Sequence, residues 1–286
     1  MKKGILIYAH NDKSMDYALM ATISGGLAKK HLNVPVSLVT DEHTISYMEK
    51  SKMMFKAKKV FERFIIVEKP LENNKRLLHD GSSEEVIPFL NTNRWSAWEI
   101  TPYERTLLID SDYLIFSSRL AEYWDVDTDI MIGESIKDVY SERRLGYLDR
   151  YISETGIKLY WATTLMFTKN EQTKLFFSLV KYIKDNYSYF SDIYRFDNRV
   201  YRNDIAFSVA KHILNGFETL NCNDLPPILS ALDRDMLIDV ENNRLKFLID
   251  HNLNGNYCAA SMKEIDIHVM NKQSIVRNKD KLLGLI

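Results

Sequence analysis

The chain has 286 residues with a formal net charge of −1, 45% hydrophobic and 27% charged. So balanced a charge excludes a protein held to nucleic acid or anionic membrane by bulk charge, and no run approaches the roughly 18 apolar residues of a spanning helix. Two cysteines, Cys222 and Cys258, make neither a disulfide framework nor a zinc spacing; reduced, buried thiols in a cytoplasmic protein are expected.

Taken in chain order, "MKKGILIYAHND" puts basic residues before a short apolar run. It has no long apolar region and no small-residue cleavage site, so residues 4–10 are predicted to be a first strand, not a signal peptide. Residues 14–31 are predicted helical, opened by Ser14 with Asp16 in the first turn. A strand at 34–42, a helix at 43–61 and a strand at 63–68 follow. Strands spaced by helices predict right-handed crossovers and a mostly parallel α/β sheet. In such sheets ligands sit outside the carboxyl ends of the strands, which here carry His10, Asn11, Asp12, Thr40 and Asp41. Residues 69–92 read as irregular, punctuated by Pro70, Gly81 and Pro88; a helix around "TNRWSAWEI" is stopped by Pro102. Beyond it come strands at 104–116 and 129–134, a helix at 141–155, a strand at 158–168 and helices at 170–186 and 203–215. A hairpin at 236–250, a late strand at 264–272 and a short polar helix complete the pattern. With no repeats and no composition break, one continuous domain is expected, its later half building an acceptor side.

One strand raises a question. "ERTLLIDSDYLIF", residues 104–116, interrupts a buried apolar run with Asp110 and Asp112. Isolated buried carboxylates are costly, so the strand must end there or something must neutralise them. Asp-x-Asp occurs four times, at 110/112, 125/127, 127/129 and 233/235, so spacing alone is weak. Context separates them: Asp125, Asp127 and Asp129 read as solvated turn residues, and Asp233 and Asp235 as a surface helix start. Only Asp110 and Asp112 lie between apolar halves. Mg²⁺ and Mn²⁺ take hard oxygen ligands, commonly one or two carboxylates plus phosphate oxygens, and clamp a diphosphate leaving group. The bland alternative is two solvated aspartates in a turn.

"ILIYAHND", "VSLVTDE" and "YERTLLIDSD" together resemble the GT-A fold glycosyltransferases, in the branch of glycogenin and the bacterial lipopolysaccharide galactosyltransferases. The resemblance implies a hexosyl- or pentosyltransferase with a nucleoside-diphosphate sugar, in particular a UDP-sugar, and Mn²⁺ or Mg²⁺. It would place Asp110, Ser111 and Asp112 at metal and ribose, Tyr8, Ala9, His10, Asn11 and Asp41 around base and ribose, and Arg94 near the phosphates. In the later half, "LYWATTLMF" replaces the branch's Asn-x-Gly strand. "IHVMNKQS" keeps His268, as a metal ligand, and Lys272, at the diphosphate, but lacks the Gly and Trp that normally follow. A lone His on an apolar strand is otherwise a core histidine.

Asn203 and Asp204 open a helix after an aromatic run interleaved with Arg195, Arg199 and Arg202. As cap and first-turn residues they need no function; in related enzymes an Asn-Asp-Glu-like motif here faces acceptor and sugar, which makes Asp204 the candidate to orient the acceptor hydroxyl or take its proton. Aromatics with arginines also suit nucleic acid, and Lys50, Lys52, Lys56, Lys58, Lys59 and Arg63 add a basic run. "YRNDIAFSVAKHILNG" and the Asn-, Lys- and Tyr-rich style resemble GT-A proteins of tailed bacteriophages, some of which glycosylate hydroxymethylated bases flipped out of DNA. A phage protein in the host cytoplasm with a DNA acceptor is one expectation; an envelope or other glycan transferase is the alternative. A nucleotidyltransferase would carry a Gly-rich basic loop after the first strand, where "AHNDKSMDY" stands. A non-catalytic binding module is the third reading.

Overall fold

The apolar runs of the first third form the strands of a central sheet. The computed structural model describes residues 1–12, 14–70, 74–79, 84–154, 156–216 and 224–286. Six strands lie side by side in the order Phe61–Ile66, Val36–Thr40, Lys3–Tyr8, Arg105–Ile109, Trp161–Thr168, Ile130–Gly133. The first four are parallel; Trp161–Thr168 runs antiparallel to both of its neighbours. The architecture is therefore mixed α/β around a mostly parallel sheet, as expected. Ile5, Leu6, Ile7, Leu107 and Leu108 are fully buried because the sheet is covered on both faces, which is why these strands read as unbroken apolar runs.

The chain steps outward from Lys3–Tyr8 through the next two strands, then returns to place Arg105–Ile109 on its other side. That reversal opens a crevice at the carboxyl ends of the two middle strands. Because Trp161–Thr168 is antiparallel, its amino end reaches the same rim, with Thr164 opposite Ile109. A second sheet sits beyond, ordered Tyr113–Leu114, Ile267–Val269, Ile228–Ala231, Ile136–Asp138. An antiparallel sheet of Met236–Glu241, Arg244–Asp250 and Tyr257–Lys263 adds to it, and Lys75–His79 pairs with Glu84–Pro88.

Helix Tyr17–Leu32 packs against the sheet with most of its residues buried, Gly25 and Gly26 included. A side chain at Gly4 would meet the Tyr103 ring at 2.4 Å; glycine there lets that ring cross the strand and its hydroxyl reach Ser37 Oγ at 2.7 Å. Helix Glu171–Asp185 is amphipathic and lays Phe176, Phe177, Val180 and Ile183 inward against helix Asn203–Leu214.

Several boundaries differ from the sequence reading. The first helix starts at Tyr17 because Asp16 is its cap, accepting from Leu19 N at 3.0 Å, while Asp12 Oδ1 holds Ser14 N and Met15 N in a turn before it. The helix predicted at 43–61 is two, Glu42–Lys50 and Met54–Val60, broken where Lys52 takes φ 60°. The stretch expected to be irregular, 69–92, holds two antiparallel strands, Lys75–His79 and Glu84–Pro88; Gly81 lies outside the described residues. Within 141–154 only Glu142–Arg144 and Tyr147–Asp149 are helical, as short 3₁₀ turns instead of the predicted α-helix, with Arg144 drawn into a buried cluster; residue 155 lies outside the described residues. Asp235 is part of that cluster and fully buried, not a surface helix start. Cys258 is half-buried on an outer strand, and Cys222 lies outside the described residues. No helix among the described residues is long and apolar enough to cross a membrane.

Candidate active site

The strand that raised the question stops at the first carboxylate. Arg105–Ile109 ends in the central sheet, residues 110–113 turn with Tyr113 N donating to Asp110 O at 3.2 Å, and Tyr113–Leu114 resumes in the second sheet. Asp110 N still donates to Thr163 O at 3.0 Å, which ties the turn to the neighbouring strand. Asp110 and Asp112 thus sit on the hinge between two sheets, at the rim of the crevice.

Strand Ile267–Val269 pairs with Tyr113–Leu114, setting His268 opposite Tyr113. This register brings a residue from near the end of the chain onto the aspartates. One ligand atom each from Asp110, Asp112 and His268 lie within 4.8 Å of one another. His268 Nε2 is 3.4 Å from Asp112 Oδ2, and its buried Nδ1 has no partner. Arg94 Nη1 donates to Asp110 Oδ1 at 2.9 Å, and Lys272 Nζ is bonded to Asp112 Oδ2. Two carboxylates supply hard oxygens and the imidazole a borderline nitrogen, a set that fits Mn²⁺ better than Mg²⁺.

The electrostatics follow from this placement. Desolvation and the neighbouring Asp112 raise the Asp110 carboxyl, against the pull of Arg94. Desolvation also acts to raise Asp112, but Lys272 and His268 outweigh it and hold that carboxyl well below the usual range.

A cleft of about 250 Å³ surrounds this group. Tyr8, Arg94, Asp110, Ser111, Asp112, Asn203, Asp204, His268 and Lys272 line it, all from the sequence-derived set. Ala9, His10, Asn11 and Asp41 do not. His10 Nδ1 bonds Asp41 Oδ2 at 2.8 Å in the interior, Asp41 Oδ1 caps the helix Glu42–Lys50 through Thr44 N, and Asn11 Oδ1 accepts from Ala18 N at 2.7 Å. These four buttress the strand ends behind the cleft wall. Tyr8, buried above its ordinary ionisation range, bonds Ser96 Oγ at 3.0 Å.

Asn203 is the first residue inside its helix, not the cap; Arg202, extended, holds the cap position. The Asn203 amide donates to Asn91 O at 2.9 Å, which fixes its orientation and leaves Oδ1 buried without a partner. Arg202 Nε donates to Asp204 Oδ1 at 3.1 Å. Of the aromatic run before it, Tyr187, Phe190 and Phe196 are buried in the core, and Arg199 is paired with Asp197. The basic residues Lys50, Lys52, Lys56, Lys58, Lys59 and Arg63 are exposed on the helices after the second strand and the strand that follows.

Several lining residues escaped the sequence reading, Asn91 and Asp233 among them. Asn91 lies in the stretch taken as irregular, with nothing to mark it, and its Oδ1 is also buried and unpartnered. Asp233 looked like a surface residue; it lines the cleft, and its Asp-x-Asp spacing was the available signal.

No protein-family profile matches the chain, and no curated protein does. Among solved structures, the galactosyltransferase LgtC in complex with donor and acceptor sugar analogs is similar over 73% of this chain and 70% of its own, at 17% identity and TM-score 0.43. The glycosyltransferase GlyE of Streptococcus pneumoniae TIGR4 is similar over 75% of this chain and 43% of its own, at 12% identity and TM-score 0.39. The inositol-1-phosphate CTP transferase from T. maritima is similar over 76% and 82%, at 13% identity and TM-score 0.39. These are partial likenesses of chain path.

Proposed function

We propose that the protein is a metal-dependent glycosyltransferase that uses a nucleoside-diphosphate sugar, in particular a UDP-sugar, and transfers the sugar to an acceptor hydroxyl. The observation that carries this reading is the convergence of Asp110, Asp112 and His268 within 4.8 Å, flanked by Arg94 and Lys272, at the crevice of the central sheet. Asp110, Asp112 and His268 would hold Mg²⁺ or Mn²⁺, which when bound neutralises charge on a diphosphate leaving group.

Around that group the chain's own residues divide the work. Arg94 lines the cleft and keeps one buried guanidinium nitrogen, Nη2, without a partner, which supports a role for this side chain toward phosphate oxygens. Lys272 supplies a second positive charge on the opposite side. Tyr8 and Ser111 line the side nearest the first strand, where base and ribose would lie, with Ala9, His10, Asn11 and Asp41 supporting them from behind. Asp204, half-buried, paired with Arg202 and on the cleft lining, would orient the acceptor hydroxyl or receive its proton. The branch resemblance favours retention of configuration; inversion would need a carboxylate base close to the acceptor, with Asp204 and Glu134 as the candidates.

Calorimetry with UDP and a panel of UDP-sugars, with and without Mn²⁺, tests the reading. Manganese-linked affinity is expected for the natural chain and is lost in Asp112→Asn with an unchanged circular dichroism spectrum. Full transfer activity in Asp112→Asn, or the same UDP affinity with and without the ion, overturns the assignment.

A further inference from the structure

The antiparallel sheet of the later half has one bare edge. Its strands run in the order Met236–Glu241, Arg244–Asp250, Tyr257–Lys263, so among the described residues the last strand has a neighbour on one side only. Just before that strand His251 N donates to Asn256 O at 3.1 Å, and just after it Glu264 N donates to Asn243 O at 3.1 Å. Pairing between them is unbroken, from Tyr257 opposite Asp250 to Lys263 opposite Arg244. Hydrogen-bonded pairs alternate along an antiparallel ladder, so these two bonds fix which backbone groups face inward. Cys258, Ala260 and Met262 exchange bonds with the middle strand, and the N–H and C=O of Ala259, Ser261 and Lys263 point outward.

Such an edge is a template for a further strand. Neighbouring edges are protected. The opposite edge of the same sheet has a bulge between Leu237 and Asp239, and Asn278 Nδ2 donates to Leu237 O at 2.7 Å. In the central sheet, edge strand Ile130–Gly133 is covered by Leu225 N on Ile132 O at 3.1 Å and by Asp224 Oδ1 on Ile132 N at 3.3 Å. The other edge, Phe61–Ile66, exposes Glu62 and Arg63. Strand Tyr257–Lys263 has no bulge, no proline and one ionised side chain, Lys263, whose charge is held by Glu264 at 3.0 Å.

The strand is complementary to itself. Antiparallel pairing with a second copy about a two-fold axis at Ala260 overlaps its whole length. It sets Ala259 against Ser261 and Tyr257 against Lys263, small against small and aromatic against a lysine stem, with no like charges opposed. A foreign peptide added to an edge draws its specificity from side-chain pockets beside it, and the cleft and the larger hollows have other linings.

We infer that the protein forms a two-fold dimer by antiparallel pairing of strand Tyr257–Lys263 with its copy, through residues that do not line the cleft. The inference does not depend on the transferase reading. Sedimentation velocity of the full chain tests it. The weight-average mass is expected to climb from one chain toward two across roughly 1–200 μM, the range of a small interface. Ala259→Pro removes only an outward N–H, so it is expected to keep the parent's circular dichroism spectrum and to stay monomeric. A second variant reads the register. In a Cys222→Ser, Cys258→Ser background, Ala260→Cys should give a disulfide-linked dimer on mild oxidation, because residues opposed in a non-hydrogen-bonded pair have Cα atoms about 4.5 Å apart. Ala259→Cys, opposed by Ser261, should stay unlinked. A parent that is monomeric throughout, an Ala259→Pro variant that dimerises like the parent, or linkage through residue 259 in preference to 260 overturns the proposal.

Discussion

At the scale of single residues, burial decides which polar groups face the cleft and which hold its wall. His10 and Asp41 illustrate the second role. Desolvation acts to raise the Asp41 carboxyl, but the His10 hydrogen bond and the Thr44 backbone amide outweigh it, so its folded pKa lies below the ordinary value. A depressed carboxylate contributes stability that is present above its unfolded pKa and lost as pH falls through the folded one. Urea midpoints measured from about pH 5 down to about pH 3 should therefore fall more steeply in the parent than in Asp41→Asn. Equal slopes would remove this carboxylate from the acid sensitivity. The Asp110/Asp112 pair was legible because charge inside an apolar strand is a local anomaly. Asn91 was not, because an amide in a loop looks the same whether it faces water or a buried cleft.

At the scale of elements, the turns after the crevice depend on one cation. Arg144 bonds Asp138 at 2.5 and 2.7 Å and Asp235 at 2.7 and 2.9 Å, all three side chains being almost fully buried. It also donates to Asp250 O at 3.1 Å, so strand Ile136–Asp138, the turn at 232–235 and strand Arg244–Asp250 meet at one guanidinium. Arg144→Ala leaves two carboxylates buried without compensation and should cost about 3–5 kcal/mol, read as a fall in the denaturation midpoint. A loss under about 1 kcal/mol would mean that water reaches the pair. This cluster also explains the misread stretch at 141–155: its local pattern favoured a helix, and a long-range ion pair overrode it. The parallel strands, whose apolar runs are self-contained, needed no such partner to be recognised.

At the scale of the molecule, the central sheet and the second sheet share the turn 110–113 and one continuous buried cluster that runs from Ile5 to Leu282. Far-ultraviolet dichroism and tryptophan fluorescence should then report one coincident unfolding transition; two separated transitions would divide the chain into independent units. Sequence order showed the first half of this plan, since helices between strands force parallel neighbours. Only the family resemblance, not the strand pattern, brought residues 112, 268 and 272 to one site, because their meeting depends on the register of a three-residue strand far along the chain. Their meeting has a thermodynamic consequence. The two aspartates are already balanced by Arg94 and Lys272, so a bare dication must displace cations to enter, whereas one accompanied by pyrophosphate gives those cations new partners. Ion and nucleotide should therefore bind with positive cooperativity. By reciprocity each should tighten the other by the same factor, of roughly 5–150, and Lys272→Ala should strengthen the solitary ion while weakening that mutual dependence.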